Sequence, residues 1–220
     1  MTKTDKGNFI EIEYIGKIKS NDKIFDLTDE KIAKENDIFD PNFKYGSIVI
    51  CLGENSILKK LDSELIGKEV GKYTIGVSYD EGFGKKDAKL IRIIPLSVFK
   101  KKDINPFPGL QVSIDNAMWM VRSVSGGRCI VDFNHPLAGR DLVYEVTIKK
   151  IVIDDGEKLK SLIEQNLFLK DKDYSIDKEE NKYKIVTERE IPDKVKEEFI
   201  DKVKRLISNI KDITIAKKEK

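Results

Sequence analysis

The sequence predicts an α+β protein, and three patterns along its 220 residues support that prediction. Residues 8–19 and 142–153 alternate between apolar and polar side chains, as strands with one buried face do. Between them, residues 104–132 carry short apolar runs separated by turn signals, which is typical of a small all-β unit. Residues 154–220 follow an α-β-β-α-β order. The chain therefore combines a first sheet, an inserted all-β unit and a C-terminal α/β segment.

The first sheet is expected to hold further strands and two short helices. Apolar runs at residues 23–26, 48–52 and 71–77 predict the strands. Thr28 is expected to cap a helix over about residues 29–35, because its hydroxyl can accept a hydrogen bond from the first turn. A second helix is predicted from apolar residues at helical spacing, and its apolar side can press into a curved sheet. These residues are Ile57, Leu58, Leu61, Leu65 and Ile66.

Residues 131–144 mark the return from the insertion. One strand ends at Phe133, a turn containing His135 follows, and residues 142–153 resume a strand whose partners lie much earlier in the sequence. Before the return, residues 90–94 are apolar and lead through Pro95 towards Phe99. The strands expected inside the insertion cover residues 111–114, 117–123 and 128–132.

The C-terminal segment is expected to be a third, separate domain that begins near residues 154–156. Its first helix has an apolar face made of Leu159, Leu162, Ile163 and Leu167. Strands are predicted at residues 173–177, 182–187 and 213–215, and Pro192 opens a longer helix at a position that suits proline. The apolar stripe of that helix consists of Val195, Phe199, Val203, Leu206 and Ile210.

Composition excludes several classes of partner. The 41 Lys and Arg residues nearly cancel the 39 Asp and Glu residues, giving a formal net charge of +2. Because the two signs interleave without a basic face, no nucleic-acid partner is expected. The longest apolar run, residues 48–52, is far too short to cross a bilayer, so we expect no membrane partner and a cytoplasmic protein. Cys51 and Cys129 lie in apolar runs, where buried free thiols are more common than ligands or disulfides.

His135 is the only histidine in the chain. One histidine without nearby cysteines cannot build a transition-metal site, so its ring is expected to tie the turn together. No metal and no cofactor are predicted.

Six motifs in a fixed order resemble the FKBP-type peptidyl-prolyl isomerases. They are YIGKI at residues 14–18, FDLT at 25–28, LGENSILKKLDSELIGKEVGK at 52–72, YDEGFGKKD at 79–87, NHPLAG at 134–139 and LVYEV at 142–146. The closer similarity is to the archaeal long form and its bacterial relative SlyD, which carry a second domain inserted in the flap. The resemblance implies an antiparallel half-barrel wrapped round a short helix. It implies an isomerase domain at residues 1–87 and 133–153, an inserted chaperone domain at 88–132 and a C-terminal domain at 154–220.

The resemblance also implies a proline-binding cleft. Catalytic positions fall on Tyr14, Asp26, Phe83 and Tyr144, and substrate-binding positions fall on Phe25, Ile48, Ile57, Leu58, Leu61 and Leu137. Many members have a tyrosine at the position of Phe83, whose hydroxyl bonds a substrate carbonyl, and a tryptophan at the position of Leu61. By residue type alone, the apolar residues among these are more often core than site. Asp26 alone is as often a turn or helix-cap residue.

The chemistry that the resemblance implies needs no nucleophile, because the barrier to X-Pro rotation comes from amide resonance. An apolar cleft favours the less polar, twisted amide, and Asp26 beside Tyr14 is hypothesised to orient the peptide or to favour its redistributed charge. In the resembling proteins the insert holds unfolded chain. Phe107, Met118 and Trp119 are its expected substrate contacts here, and the alternative is that about half of its apolar residues are simply core.

We therefore expect a prolyl isomerase with chaperone activity that acts on unfolded or nascent polypeptides containing proline. One alternative is a non-catalytic holdase that only binds apolar segments, which the missing hydroxyl at Phe83 favours. Another is an assembly protein that forms a homodimer through the C-terminal domain and the stripe of its second helix.

Overall fold

The computed structural model describes residues 2–114, 117–179 and 182–218, without the side chains of residues 113, 114, 117 and 118. In chain order the elements are β1 (Phe9–Ile18), β2 (Ile24–Leu27), α1 (Glu30–Glu35), β3 (Ile48–Cys51), α2 (Lys59–Glu64), β4 (Gly71–Val77), β5 (Ile91–Pro95), α3 (Leu96–Lys100), β6 (Gln111–Ile114), β7 (Ala117–Ser125), β8 (Arg128–Asp132), β9 (Leu142–Val152), α4 (Asp155–Leu167), β10 (Tyr174–Glu179), β11 (Lys182–Thr187), α5 (Asp193–Leu206) and β12 (Asp212–Lys217). None of the helices in the described ranges is long and apolar enough to cross a membrane.

The chain divides into two compact units. The first comprises Met1–Gly16, Ile24–Ile75 and Tyr144–Lys220, and the second comprises Lys17–Lys23 and Gly76–Val143. The α+β class is confirmed, and the domain boundaries implied by the resemblance stay predictions.

The main sheet of the first unit has the strand order β2-β1-β9-β4, and β3 pairs with β1. The β1–β3 pairing is antiparallel and places Phe9 opposite Cys51 and Ile12 opposite Ile48. Each strand lies within one residue of its predicted ends, because alternation of apolar and polar residues is a strong signal in these stretches.

Helix α1 begins differently from the prediction. Its N-cap is Asp29, whose Oδ1 accepts hydrogen bonds from the backbone N–H of Lys31 at 2.8 Å and of Ile32 at 3.1 Å, so the prediction that Thr28 caps the helix was wrong. Thr28 is instead buried against β1. Its hydroxyl accepts from the Tyr14 N–H at 2.9 Å and donates to the Tyr14 carbonyl at 3.3 Å. Thr28 therefore fixes the end of β2 to β1 beside a predicted site residue.

Helix α2 is shorter than the apolar repeat that predicted it, and Ile57 and Leu58 precede it. Its Leu61 is 3% exposed, so the helix buries one face. The carboxylate of Asp62 accepts backbone hydrogen bonds from Gly53 and Asn55, each at 2.9 Å. These bonds lock the preceding turn onto the helix.

The C-terminal segment has the predicted α-β-β-α-β order. Its sheet runs β10-β11-β12, with β10 antiparallel and β12 parallel to β11. The predicted apolar face of α4 is buried, and it belongs to a core cluster that also contains Phe9, Cys51 and Val152. The C-terminal segment and the main sheet therefore share one core.

The apolar stripe of α5 faces this same core. Phe199, Val203 and Ile210 are 3%, 0% and 2% exposed. The prediction that the stripe forms a dimer surface was wrong, because its central side chains are already covered by the chain's own core.

The second unit is built on an antiparallel sheet with the order β5-β8-β7-β6. Helix α3 follows Pro95 directly and inserts Phe99 into a core with Val121, Cys129 and Val131. The sequence did not predict this helix, because a single helical turn presents too few residues to show a period.

Asp132 ends β8 and is 4% exposed. Its Oδ1 accepts from the backbone and the side chain of Asn134, at 3.0 and 2.8 Å. Its Oδ2 accepts from Lys86 Nζ at 3.0 Å and from Arg122 Nη2 at 2.6 Å. Burial alone would raise the pKa of Asp132, but the bonds from Asn134, Lys86 and Arg122 outweigh burial and hold the pKa well below its ordinary value.

Both cysteines are free and buried, as their apolar surroundings predicted. Burial raises the pKa of Cys51 to about 11, so its thiol is protonated at neutral pH.

Candidate functional site

Three neighbouring strands of the main sheet bring four of the predicted site residues together. Tyr14 lies on β1, Phe25 and Asp26 lie on β2, and Tyr144 lies on β9, with β1 between the other two strands. The ring of Tyr144 meets that of Phe25 edge-on, with centroids 5.6 Å apart, and lies 6.0 Å from the ring of Tyr14. The rings of Tyr14, Phe25 and Tyr144 therefore form one aromatic surface beside the carboxylate of Asp26, and we call this surface the aromatic wall.

Asp26 is held by a hydrogen bond from the hydroxyl of Tyr14, which donates to Oδ2 at 3.0 Å. Burial raises the pKa of Asp26 above its ordinary value of 3.8, while the hydrogen bonds from Tyr14 and from the backbone of Leu27 oppose that rise. Burial, followed by the nearby charge of Asp26, also raises the pKa of Tyr14 and of Tyr144. Both phenols therefore keep their protons at neutral pH, and Tyr14 remains a donor.

Gly16 determines how closely these rings pack. It lies two residues beyond Tyr14 on β1, and so on the same face of the strand. A Cβ atom at this position would lie 2.8 Å from Phe25 Cζ and 2.9 Å from Tyr144 Cε1, closer than real side chains come. No role for Gly16 was predicted from the sequence, and the two-residue period from Tyr14 was the signal that could have revealed one.

The remaining cleft residues of the first unit lie around β3 and α2. Ile48 begins β3, Ile57 and Leu58 precede α2, and Leu61 lies within it. Leu61 is buried and the other three are half-buried. Their contact with a substrate stays a prediction.

Phe83 and Leu137 lie in the second unit and meet at His135. The Phe83 ring stacks on the imidazole, with centroids 4.2 Å apart and planes 1° from parallel. The backbone N–H of Leu137 donates to His135 Nδ1 at 3.2 Å, so the neutral ring carries its hydrogen on Nε2. The imidazole thus ties the turn together. Among the described residues, no group of three or more His, Cys, Asp or Glu side chains is placed to hold a metal ion.

The three substrate contacts predicted in the insert differ in exposure. Phe107 is 57% exposed. Trp119 is half-buried, packs on Phe133 with ring centroids 4.4 Å apart, and adjoins the core of the second unit. Met118 lies on β7, but its side chain falls outside the described residues.

Comparison with known proteins finds similarity over most of the chain. Residues 92–137 match the family model described as FKBP26, IF domain. The chain is 29% identical over 153 residues to a short-type peptidyl-prolyl cis-trans isomerase of Methanocaldococcus jannaschii, a match that covers 69% of this chain and 96% of that protein. It is 28% identical over 121 residues to a probable FKBP-type 16 kDa peptidyl-prolyl cis-trans isomerase of Pseudomonas fluorescens, covering 52% and 79% of the two chains. It is 30% identical over 110 residues to the FKBP-type isomerase SlyD of Haemophilus influenzae, covering 44% of this chain and 53% of SlyD.

Replacing Gly16 by alanine should separate the rings of Phe25 and Tyr144. We expect Gly16→Ala to lower the free energy of unfolding by about 1–3 kcal/mol, as overpacking does, and to change the near-ultraviolet circular dichroism of the tyrosines. Gly76→Ala is the matched control, because Gly76 lies on β4 and a Cβ atom added there would have no other heavy atom within 4 Å. Urea denaturation measures both variants, and equal stability of the two would contradict the role given to Gly16.

Proposed function

We propose that this chain is an FKBP-type peptidyl-prolyl isomerase, which catalyses cis–trans rotation of X-Pro bonds in unfolded or nascent polypeptides. The observation that carries the proposal is the Tyr14–Asp26 hydrogen bond set beside the rings of Phe25 and Tyr144. The uncatalysed rotation takes tens to hundreds of seconds, which is slow enough to limit folding.

The aromatic wall suits this reaction for a physical reason. Rotation breaks amide resonance, and the twisted bond is less polar than the planar one. Water stabilises the planar amide more, so excluding water with Phe25 and Tyr144 disfavours the ground state relative to the transition state. No nucleophile or metal is required.

Asp26 supplies the polar part of the mechanism. Because Tyr14 fixes the direction of its carboxylate before substrate binds, little reorganisation is needed as charge redistributes in the twisting amide. We propose that Asp26 orients the peptide and favours that redistributed charge. Phe83 lacks a hydroxyl, so this chain has no phenolic donor at that position.

Replacing Asp26 by asparagine should lower kcat/KM for a short Leu-Pro peptide about tenfold, or about 1.4 kcal/mol. Because burial raises the Asp26 pKa, wild-type activity should fall as the pH decreases through a value above 3.8, and Asp26→Asn should lack this acid limb. Tyr14→Phe removes a bond that lowers the Asp26 pKa, so it should move the limb to higher pH. Cis-to-trans relaxation of the peptide across the acid range measures all three proteins.

Two outcomes would change the interpretation. Full activity with an unchanged acid limb in Asp26→Asn would make the carboxylate structural. No acceleration by the wild-type protein, with aggregation still suppressed, would favour the non-catalytic holdase.

We further propose that the insert holds unfolded client chains. Large apolar side chains are exposed there: Phe107 is 57% exposed, and Ile93 and Ile130, which are 62% and 39% exposed, are direct cross-strand partners on β5 and β8. Exposed apolar surface of this kind marks binding sites more often than chance. These contacts support binding of extended apolar segments.

Deleting residues 89–131 should abolish suppression of aggregation and leave rotation of a short Leu-Pro peptide within about twofold. A short glycine linker can join the two ends left by the deletion, because hydrogen bonds already hold the flanking residues Asp87 and Asn134 together. The Asp87 N–H donates to Asn134 Oδ1 at 2.8 Å, and Asn134 Nδ2 donates to the Asp87 carbonyl at 3.0 Å. The joint substitution of Phe107 and Ile93 by serine should weaken suppression without deletion. Val70→Ser is the matched control, since Val70 is 53% exposed in the first unit. Equal loss of both activities on deletion would argue against separate roles.

We also propose a cytoplasmic location and a homodimer formed through the C-terminal segment. Large apolar side chains at both ends of α4 support the dimer, since Ile153 is 85% and Phe168 is 80% exposed. Light scattering should give about twice the chain mass of 25.2 kDa, and Phe168→Ser should lower it. A mass of one chain at high concentration would contradict the dimer.

A further inference from the structure

His135 contacts both of the predicted site residues that lie in the second unit. Its imidazole stacks on the ring of Phe83, with centroids 4.2 Å apart and planes 1° from parallel. Its Nδ1 accepts a hydrogen bond from the backbone N–H of Leu137 at 3.2 Å. His135 is itself exposed, whereas Phe83 is half-buried and Leu137 is buried. The imidazole therefore lies at the surface of this part of the predicted site.

These two contacts fix the direction of the imidazole. Stacking on Phe83 fixes the plane of the ring, and the bond from Leu137 fixes which of its nitrogens faces the turn. Because Nδ1 accepts, the neutral ring carries its hydrogen on Nε2, the nitrogen farther from the backbone. Among the residues that the structure describes, no acceptor is bonded to this Nε2–H. The ring therefore presents one donor whose direction is set before any ligand arrives, which lowers the entropy cost of binding.

Backbone hydrogen bonds hold the turn of Phe83 against the turn of His135. The Gly139 N–H donates to the Gly84 carbonyl at 2.7 Å, and the Gly84 N–H donates to the Tyr79 carbonyl at 2.7 Å. Gly84 and Gly139 have φ angles of +74° and +70°, in the region that favours glycine. The stacked pair is therefore supported by the backbone of both turns.

The charged groups near His135 already have partners. Asp132, Lys86 and Arg140 line a small cavity together with His135. Lys86 Nζ donates to the Asp132 carboxylate at 3.0 Å, and Arg140 Nε donates to the Pro136 carbonyl at 3.3 Å. The Nε2–H of His135 is therefore not taken up by the nearby carboxylate and can bond a ligand.

This donor matches a need of the proposed reaction. A polypeptide substrate brings a backbone carbonyl at every residue, and a carbonyl that leaves water without a hydrogen bond costs free energy. The single O–H of Tyr14 is already donated to Asp26 at 3.0 Å. Phe83 and Leu137 have apolar side chains and offer no donor. A substrate carbonyl that lies against Phe83 therefore needs a donor from another residue.

We propose that the Nε2–H of His135 donates a hydrogen bond to a backbone carbonyl of the substrate polypeptide that lies against Phe83. The bond supplies the donor that the side chain of Phe83 lacks, and stacking keeps that donor beside the ring. This inference rests on the proposed function and deepens it, because it names the group that binds the substrate backbone. The sequence predicted only that the ring of His135 ties the turn together.

The single histidine of the chain allows a direct spectroscopic test. Labelling histidine alone with ¹⁵N gives one pair of imidazole nitrogen signals, which can be followed through the carbon-bound ring hydrogens. In mildly alkaline buffer the Nε2 signal of the free protein should be that of a nitrogen carrying a hydrogen. Addition of a short Leu-Pro peptide to saturation should shift the Nε2 signal. The Nδ1 signal is the internal control and should move less, because its bond from Leu137 remains.

Asparagine and glutamine at position 135 separate the roles of the two nitrogens. His135→Asn keeps an acceptor near the place of Nδ1 and has no donor near that of Nε2, whereas His135→Gln places an amide N–H near Nε2 and lacks the other acceptor. Both variants lose the ring. We expect kcat/KM for the Leu-Pro peptide to fall about five- to tenfold in His135→Asn, as loss of one hydrogen bond does, and to fall less in His135→Gln.

Two further variants test whether a donor is what position 135 supplies. Phe83→Tyr introduces a hydroxyl, so it should raise kcat/KM by a larger factor in His135→Asn than in the wild-type protein. Arg140→Gln is the matched control, because it removes a neighbouring donor and keeps the imidazole, and it should leave kcat/KM within about twofold.

The outcomes separate this hydrogen bond from the isomerase itself. If His135→Gln is no more active than His135→Asn, or if the Nε2 signal does not move at saturating peptide, the bond is overturned and the isomerase stands. A loss in Arg140→Gln as large as that in His135→Asn would also overturn it. If the wild-type protein accelerates no peptide, the proposed function fails; the Nε2 shift then decides the bond, together with fluorescence anisotropy of a labelled peptide, which should bind His135→Gln more tightly than His135→Asn.

Discussion

The carboxylate of Asp26 can lie among aromatic rings because one of those rings donates a hydrogen bond to it. Without the hydroxyl of Tyr14, burial would favour the protonated acid more strongly than it already does. The bond requires that β1 and β2 stay in register, and Thr28 secures this by bonding the backbone of Tyr14 from the end of β2. It also requires the neighbouring rings to close over β1, which the missing side chain of Gly16 allows. The chemistry of the site therefore depends on the packing of three strands.

Sequence patterns predicted the strands of the main sheet well because polar and apolar residues alternate along them. The predictions from these patterns failed where one side chain could hydrogen-bond to either of two backbone segments. Thr28 is a good helix cap by type, yet Asp29 follows it and caps α1, which leaves Thr28 to bond β1. Helix α3 is too short to show a period. Of the site, Tyr14, Asp26, Phe25 and Tyr144 were assigned by family resemblance. Gly16 was missed because a glycine gives no signal of the rings that close over it.

The C-terminal segment contributes to the same core as the main sheet, although the polar stretch of residues 154–156 lies at the start of α4, just after β9. Helix α4 buries its apolar face in the same cluster as Phe9 and Cys51 of the main sheet. Polar contacts also join the C-terminal segment to the residues that follow β3. The guanidinium of Arg205 on α5 makes a bidentate ion pair with Glu54, with N–O distances of 2.6 and 2.8 Å. The shared core makes the stability of the main sheet depend on residues far along the chain. It also explains why the stripe of α5 is covered.

A different constraint applies between β4 and β9, which belong to the main sheet while β5 to β8 form a sheet of their own, so the two connecting segments must be held together. In this chain Asp132 does so with one carboxylate, which bonds Lys86 of the outgoing segment, Arg122 of β7 and Asn134 of the returning turn. A buried carboxylate with these donors stays ionised until the solution is strongly acidic, because its pKa is held well below the ordinary value. The bonds of Asp132 to Lys86, Arg122 and Asn134 therefore persist across the pH range in which Asp26 titrates. We therefore expect any change in activity with pH in that range to come from the Tyr14–Asp26 pair and not from loss of the Asp132 bonds.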